Sequence, residues 1–374
     1  MGLELDKILE FAVQKAISDV HLKQGRPPAY RVNGQLAQQR GAMSVTQDDV
    51  SGFLDKLLCD DSKRKTFSQD GNVDVSYEIP GLARFRVNVY RQYTGVSVAV
   101  RVIPMTTKTI RQLNLPAVLE KAADENRGLV VVTGTTGSGK STTLTAMINH
   151  INEQRAAHII TIEDPVEAVL ADKKCTINQR EIGSCASSFA TALRAALRQD
   201  PDVILIGELR DRETIEIALQ AAETGHLVFS TMHTIDAAET LNRAVAVFPP
   251  HDQDAIRHLF ANVVQWIISQ RLLERKDGKG RVPACEVLKG TPRIRELIVQ
   301  RAGQKALVET IASGYKVYGT QTFDQCLMGL FVKGIITIEV ALANCSNPSD
   351  FKLRVSGIAG DGDVSFEDFV LGKE

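Results

Sequence analysis

The stretch Gly134-Thr135-Thr136-Gly137-Ser138-Gly139-Lys140-Ser141 fits the pattern G-x-x-x-x-G-K-[ST] and directly follows the apolar run GLVVV. That run is typical of a strand, and STTLTAMINHIN after it predicts a helix with Leu144, Ile148 and Ile151 at helical spacing. A glycine-rich loop between a strand and a helix lets backbone N–H groups surround a phosphate at the positive end of the helix. The sequence therefore predicts a nucleotide-phosphate site.

Each residue type in this loop has a chemical role. The glycines allow tight backbone turns, Lys140 would reach the β- and γ-phosphates, and Ser141 would hold Mg²⁺ through its hydroxyl. ATP and Mg²⁺ are therefore the expected cofactors. The expected cofactor-binding residues are Gly134, Thr135, Thr136, Gly137, Ser138, Gly139, Lys140, Ser141 and Thr142.

The composition narrows the class of protein. A chain of 374 residues is longer than one usual domain, so more than one is expected. A formal net charge of −1 argues against a protein that coats nucleic acid. The 6 cysteines contain no C-x-x-C pair, which fits reduced thiols in a cytosolic protein. The start MGLELDKILE is unlike a signal peptide, and no apolar run approaches a bilayer span.

The first hundred residues predict a small α+β domain. Residues 3–18 have helical spacing, and short strands follow at AYRVNG, VDVSYEI, ARFRVNVYR and VSVAVRVI, with turns at Asn33-Gly34 and Pro80-Gly81. We expect this domain over residues 1–102 and a linker with Pro104 over 103–112. The nucleotide domain is expected over 113–374.

The second domain alternates apolar strands with helices. GLVVVTG, HIITIED, DVILIGE and HLVFSTMHT are almost continuously apolar, as strands buried on both faces are. We therefore expect an α/β fold, a mostly parallel sheet with helices on both faces and the phosphate loop at the carboxyl ends of its strands.

Beyond residue 250 the pattern changes. It predicts a mainly helical part from HDQDAIRHLFANVVQWIISQRLL onward. The final stretch SNPSDFKLRVSGIAGDGDVSFEDF is expected to be loosely held. Its Asp361-Gly362-Asp363 lacks the spacing and the final glutamate of a calcium loop.

Acidic residues end two of the predicted strands. Glu208 ends DVILIGE, where its carboxylate could act on Mg²⁺ directly or through water. HIITIEDPVE supplies Glu163, Asp164 and Glu167, and either Glu163 or Glu167 could orient the attacking water. A solvated acidic loop closed by Pro165 is the alternative.

Two histidines bracket the strand HLVFSTMHT. His233 follows the strand, where it could bond to a phosphate, and His226 precedes it. Since residues seven apart on a strand point to opposite faces, shared metal binding is not expected. A structural histidine with a satisfied hydrogen bond is the alternative for His226.

Four arginines occur on the strands of the small domain: Arg84, Arg86, Arg91 and Arg101. Strand alternation puts Arg84 and Arg86 on one face. Solvated arginines are the ordinary interpretation. A guanidinium presented to a neighbouring subunit's ATP would instead raise the rate by about 10³ to 10⁵.

These motifs together resemble the secretion-type ATPases, and more closely the PilT-like retraction ATPases of bacterial type IV pili. The matching text occurs in family order along nearly the whole chain: SDVHL, RFRVNVYRQYTGVSVAVRVI, GTTGSGKSTT, ITIEDPVE, NQREIG, ALRQDPDVILIGELRDRETIEIAL, AAETGHLVFSTMHT, VFPP, SQRLL and MGLFVKGII.

The resemblance implies a fold and a site. It implies a PAS-like N-terminal domain, a RecA-like ATPase core and a homohexameric ring. DVILIGE with Glu208 resembles the family's Walker B motif, and ITIEDPVE with Glu163 or Glu167 resembles its Asp box. TGHLVFSTMHT, with His226 and His233, resembles its His box. Arg86 and Arg101 fall where the family presents arginines across the subunit interface.

The resemblance also implies an activity, partners and a location. The activity is ATP hydrolysis by a molecular motor that drives pilus retraction, meaning pilus disassembly and twitching motility. The implied partners are an inner-membrane platform protein and, as a further option, a paralogous pilus ATPase, with no nucleic acid. The implied place is the bacterial cytoplasm, at the inner face of the cytoplasmic membrane, with membrane association only through a partner.

Two departures keep alternatives open. The family commonly carries AIRNLIRE where this chain reads RIRELIVQ over residues 293–300. A longer N-terminus and a four-cysteine zinc module, usual in the extension and secretion branches, are missing from this sequence, which favours retraction. The alternatives are a pilus-extension or type II secretion ATPase, an accessory nucleotide-binding ring subunit with little activity of its own, and a nucleic-acid motor.

Overall fold

The chain divides into two compact units, Met1–Thr106 and Thr107–Glu374. The computed structural model describes residues 2–15, 17–32, 35–38, 41–103 and 107–356. The predicted turn at Asn33-Gly34, Pro104 of the predicted linker, and the tail with Asp361-Gly362-Asp363 lie outside these residues. The finer boundaries 1–102, 103–112 and 113–374 stay a prediction.

Within its described residues, the first unit is an antiparallel sheet with three helices. The sheet has the order β3-β2-β1-β6-β5-β4. Its elements are α1 (Leu5–Gln14), β1 (Asp19–Lys23), β2 (Ala29–Val32), β3 (Gln35–Gln38), α2 (Gln47–Leu57), α3 (Asp61–Asp70), β4 (Asn72–Ile79), β5 (Ala83–Gln92) and β6 (Gly95–Ile103). The helix predicted over residues 3–18 is α1, which buries Leu5, Ile8, Leu9 and Ala12 at helical spacing.

Helices α2 and α3 were not predicted, because the segment that forms them is polar. Helix α3 buries only Phe67 along its length. The local signals for both helices are their N-terminal caps. Thr46 forms a capping box with Asp49 at the start of α2, and Asp60 accepts a hydrogen bond from the backbone N–H of Ser62 at the start of α3.

The second unit contains the other elements. They are α4 (Val118–Ala123), β7 (Gly128–Thr133), α5 (Lys140–Gln154), β8 (His158–Glu163), β9 (Thr176–Glu181), α6 (Phe189–Ala196), β10 (Val203–Ile206), α7 (Arg212–Glu223), β11 (Leu227–Met232), α8 (Ala237–Ala246), α9 (Gln253–Val263), β12 (Val264–Glu274), β13 (Arg281–Lys289), α10 (Pro292–Val299), α11 (Gln304–Ser313), α12 (Tyr315–Tyr318), α13 (Phe323–Val332), α14 (Ile338–Asn344) and α15 (Pro348–Val355).

The sheet of this unit has the order β13-β12-β7-β11-β10-β8-β9 and is parallel except for the β12–β13 pair. Strand β7 is buried on both faces. Leu129 and Val131 join a core with helices α6 to α11, while Val130 and Val132 join a core with α4 and α5. The predicted α/β fold class, with a mostly parallel sheet covered on both faces, is confirmed.

The prediction of a mainly helical part beyond residue 250 was right for α9 and wrong for the section that follows it. Helix α9 ends at Val263, and the next residue begins β12, which pairs with β7 and with β13. The run WIISQRLL fits helical spacing, but its aromatic and β-branched residues are fully buried in the sheet, as at Trp266, Ile267 and Ile268. After the β12–β13 hairpin, helices resume at Pro292.

The prediction for the start of the final stretch was also wrong. SNPSDFKLRV was expected to be loosely held, yet Pro348–Val355 forms α15. The Asn347 side chain caps this helix and Phe351 is buried, so local capping and one apolar contact hold it. Among the described residues, every helix is too short or too polar to span a bilayer.

Candidate functional site

The phosphate loop leaves the carboxyl end of β7 and enters α5. Gly134 has φ 145° and Gly139 has φ 92°. A Cβ on Gly134 would strike the backbone carbonyl oxygen of Gln270, and a Cβ on Gly139 would lie 2.7 Å from the Gln270 Nε2. Both positions therefore require glycine, for the backbone angle and for the close approach of β12.

The Lys140 ammonium lies inside the curve of this loop. Its Nζ donates to the carbonyl oxygens of Gly134 at 2.8 Å and Thr135 at 3.0 Å. Burial lowers the pKa of Lys140, and the attraction of Glu208 opposes that change. The ammonium is thus a concentrated positive charge where a phosphate would lie.

The loop also contains a polar atom that fits a phosphate oxygen. Ser138 Oγ is buried and has no hydrogen-bond partner in the described part of the chain. Ser141 and Thr142 are exposed in the first turn of α5. A buried hydroxyl without a partner beside the start of a helix suits an anionic ligand.

Gln270 in β12 fixes this loop, and the sequence patterns did not identify it. Its Nε2 donates to the Ser138 carbonyl oxygen at 2.7 Å, and its Oε1 accepts from Thr143 Oγ1 at 2.7 Å. The only signal in the sequence was its place in SQRLL. A polar residue within an apolar run does not reveal a partner more than a hundred positions away.

Glu208 lies next to the loop, after β10. Its Oε2 is 2.6 Å from Arg210 Nη2 and 3.4 Å from His233 Nε2. Lys140 attracts it as well. The structure therefore brings Lys140, Glu208 and His233 together at the carboxyl edge of the sheet, where parallel strands form ligand sites.

The structure distinguishes the two glutamates of ITIEDPVE. Glu163 ends β8 and accepts hydrogen bonds from Thr161 Oγ1 at 2.6 Å and Gln179 Nε2 at 3.2 Å. Burial raises the pKa of Glu163. Glu167 and Asp164 are exposed. Glu163 is thus a fixed carboxylate with raised proton affinity, while Glu167 is a solvated one.

His226 lies away from the other candidates. It precedes β11, which runs parallel to β7, so it is at the opposite edge of the sheet from the loop. Its Nδ1 is 2.9 Å from the Ala221 carbonyl oxygen. This geometry matches the structural interpretation of His226, and within one subunit it does not join the site.

The arginines of the first unit have different surroundings. Arg86 lies directly opposite Arg101 in the β5–β6 pair, and Arg101 Nε donates to Asp19 Oδ1 at 3.0 Å. Arg84 donates to Ser76 Oγ, while the Arg91 guanidinium lies 5.2 Å from the centre of the Phe67 ring. Like charges directly opposite on a sheet are unfavourable, so the Arg86–Arg101 pair suits an anionic partner.

A strand–loop–helix phosphate site at the carboxyl edge of a mostly parallel sheet defines a P-loop nucleotide-binding protein. The chain belongs to the Type II/IV secretion system protein family, whose profile matches residues 3–331.

Its relatives include named pilus proteins. The type IV pilus retraction ATPase PilT of Pseudomonas aeruginosa is 43% identical over 93% of this chain and 100% of that protein. A twitching motility protein of Neisseria gonorrhoeae is 44% identical over 86% of this chain and 84% of its own length. The resemblance to retraction ATPases is therefore confirmed.

Solved structures agree. A crystal structure of the pilus retraction motor PilT with bound ADP has a TM-score of 0.84 and 41% identity, and the match covers 93% of this chain and 98% of that one. The ATPase DotB of Legionella pneumophila has a TM-score of 0.75 and 27% identity, covering 94% and 95%. The RecA-like ATPase core is thereby confirmed.

Replacing Gln270 should weaken nucleotide binding although the residue lies outside the loop. In Gln270→Ala the Ser138 carbonyl and the Thr143 hydroxyl lose a buried partner, at a cost of about 1–3 kcal/mol. We expect the nucleotide Kd to rise about tenfold, equivalent to about 1.4 kcal/mol. Titration with a fluorescent ADP analogue measures this. Gln220→Ala, at an exposed position in α7, is the control. An unchanged Kd in folded Gln270→Ala would contradict the role.

The two glutamates should differ in their effect on turnover. Glu163→Gln removes a fixed carboxylate, and loss of a general base costs about 10²- to 10⁴-fold in rate. Glu167→Gln changes an exposed group, and we expect less than about tenfold loss. Phosphate release under saturating ATP measures both. Equal losses, or a larger loss in Glu167→Gln, would assign the water to Glu167 instead.

Proposed function

We propose that this chain is an ATP-hydrolysing motor that drives the retraction of type IV pili. The observation that carries the proposal is the convergence of the Lys140 ammonium, the Glu208 carboxylate and the His233 ring beside the phosphate loop. The names of the relatives support the mechanical role, since they include a retraction ATPase and a twitching motility protein.

The residues of one subunit divide the work of phosphate binding. The loop N–H groups and Lys140 would bind the β- and γ-phosphates, and Ser141 with Glu208 would hold Mg²⁺. When bound, Mg²⁺ supplies positive charge that offsets the charge developing on the phosphate oxygens. Because Glu208 is now paired with Arg210 and His233, its role requires those contacts to rearrange.

Glu163 is the residue proposed to orient the attacking water. Its contacts with Thr161 and Gln179 fix the carboxylate, and its raised pKa favours proton uptake. His233 is proposed to contact the γ-phosphate. For His226, nothing in the geometry of one subunit supports a catalytic role.

Arg86 and Arg101 are proposed to complete the site of a neighbouring subunit in a homohexamer. Asp19 neutralises one charge of the pair, and within the described residues Arg86 makes no ion pair. The pair thus keeps a net positive charge on an exposed strand face, which suits a triphosphate. A site shared between subunits would make turnover depend on assembly.

The proposed setting is the bacterial cytoplasm at the inner face of the cytoplasmic membrane. There the ring would act on an inner-membrane platform protein so that pilin subunits return to the bilayer, and a paralogous pilus ATPase is a further proposed partner. The pilus ATPase PilU of Pseudomonas aeruginosa, 36% identical over 96% of this chain, fits the latter proposal.

A mixing experiment tests the shared site. Lys140→Ala should abolish turnover, and Arg86→Ala should keep nucleotide binding while lowering kcat by at least about 10³-fold. Mixed rings contain interfaces with an intact loop from one variant and an intact Arg86 from the other, so mixing should restore part of the activity.

Steady-state phosphate release and native mass measurement follow both activity and ring formation. Lys65→Ala, an exposed position in α3, is the matched control and should keep full activity. Full turnover in both single variants would refute the ATPase site. Mixing without recovery, in rings shown to contain both variants, would refute the contribution of Arg86 from a neighbour.

The direction of the motor needs a cellular test. The departure RIRELIVQ covers most of α10 and its C-cap, Gln300, and in it Arg295 donates to the carbonyl oxygens of Gly290 and Asn262 while Arg293 pairs with Glu296 on the surface. Deleting the gene should leave excess pili that do not retract and cells that do not twitch. Cells without pili would show an extension motor. Tight ATP binding without phosphate release by the purified protein would show an accessory subunit.

A further inference from the structure

A row of polar side chains crosses the sheet at the level where β7 enters the phosphate loop. Thr133 in β7 lies opposite Ser269 in β12, and Ser269 lies opposite Glu286 in β13. Thr133 Oγ1 donates to Ser269 Oγ at 3.0 Å. All three residues are buried in a sheet whose other inward positions are mostly apolar.

Glu286 connects this row to the start of α8. Its Oε1 accepts a hydrogen bond from the backbone N–H of Ala237, the first residue of α8, at 2.9 Å. A carboxylate at the positive end of a helix is favourable, and its hydrogen bond is stronger than that of a neutral acceptor.

The segment His233–Asp236 is therefore fixed at both ends. It leaves β11 after Met232, which lies opposite Thr133 in β7, and it enters α8 at Ala237. Within the segment, the Thr234 hydroxyl bonds to the Thr240 hydroxyl at 2.6 Å. The segment carries His233, whose ring lies beside Glu208.

Glu286 has no ion pair among the described residues. The charged groups that face it are Asp236 from α8, Arg271 from β12 and Asp324 from α13. Arg271 is occupied elsewhere, because its guanidinium stacks on Phe323 and donates to the Asn344 carbonyl oxygen. Burial raises the pKa of Glu286 to about 7, so its charge changes near neutral pH.

We propose that Glu286 is a positioning residue that holds His233–Asp236, and so His233, in a fixed relation to the start of the phosphate loop. The inference rests on the proposed ATPase function. In this inference, the β12–β13 hairpin connects the start of the phosphate loop to His233, the residue proposed to contact the γ-phosphate. A buried carboxylate without an ion pair lowers the stability of the fold. The hydrogen bond from Ala237 explains why a carboxylate stands here, because it holds the start of α8.

The test compares Glu286→Gln with the wild type from pH 6 to pH 8.5. Glutamine keeps an acceptor for Ala237 but carries no charge, so it mimics protonated Glu286. The ratio of wild-type to variant kcat should be near one at pH 6 and rise to about fivefold above pH 8, with little change in the KM for ATP. Glu274→Gln, at an exposed position in β12, should show a ratio near one throughout.

Unlike the ratio of kcat values, which should rise with pH, the stability of the wild type relative to Glu286→Gln should fall with pH. Because the pKa of Glu286 is raised in the folded state, wild-type stability falls as pH rises through about 7. The variant lacks this loss, so its Tm relative to the wild type should rise between pH 6 and pH 8. A merely structural residue would give a ratio of rates that does not depend on pH.

The outcomes separate the inference from the function on which it rests. If the wild type hydrolyses ATP and the ratio of rates stays constant with pH, the positioning role is overturned. If the wild type releases no phosphate, the proposed function fails, and amide exchange then tests the inference alone. In the wild type, protection of the Ala237 amide relative to that of the β7 amides, corrected for intrinsic rates, should weaken from pH 8 to pH 6, because this comparison cancels the general change in stability with pH. Unchanged protection would overturn the inference, even where Glu286→Gln does not fold.

Discussion

The two hydrogen bonds of the Gln270 side chain are the interaction on which the rest of the site depends. They join β12 to the phosphate loop at Ser138 and to α5 at Thr143. The loop's own glycines permit its curve, but a neighbouring strand selects it, because Gln270 also fills the space that a side chain at Gly139 would need. Lys140 is thereby held inside the curve before any ligand arrives, which is the preorganisation that electrostatic catalysis requires.

The carboxylates at the carboxyl edge have environments that suit different tasks. Glu208 lies beside Arg210 and His233 and is attracted by Lys140, so its carboxylate must exchange these contacts before it can act on a cation. Glu163 is partly buried beside neutral donors, and desolvation raises its pKa. Two acidic groups in one site with different surroundings differ in proton affinity, which suits them to different roles.

The sequence predicted the parts of this structure that depend on local pattern. Strands β7, β8, β10 and β11 are continuous apolar runs, and the loop has a fixed spacing, so each was recognisable alone. The position of His226 was predictable too, because a residue that precedes a parallel strand lies at the edge opposite the phosphate loop. The β12–β13 hairpin was missed, since its apolar run fits a helix as well as a strand. The partners of Gln270 and Glu286 were also missed, because they are set by strand register rather than by spacing along the chain.

These omissions have a common physical origin. Buried polar residues in apolar strands violate the local rule for a sheet interior, and such violations are expected where function requires them. Gln270 and Glu286 both lie on the β12–β13 hairpin, which the sequence pattern did not reveal. Gln270 points its amide to the phosphate loop, and Glu286 points its carboxylate to α8. Through these two paired strands, the hairpin contacts both the phosphate loop and the helix that follows His233.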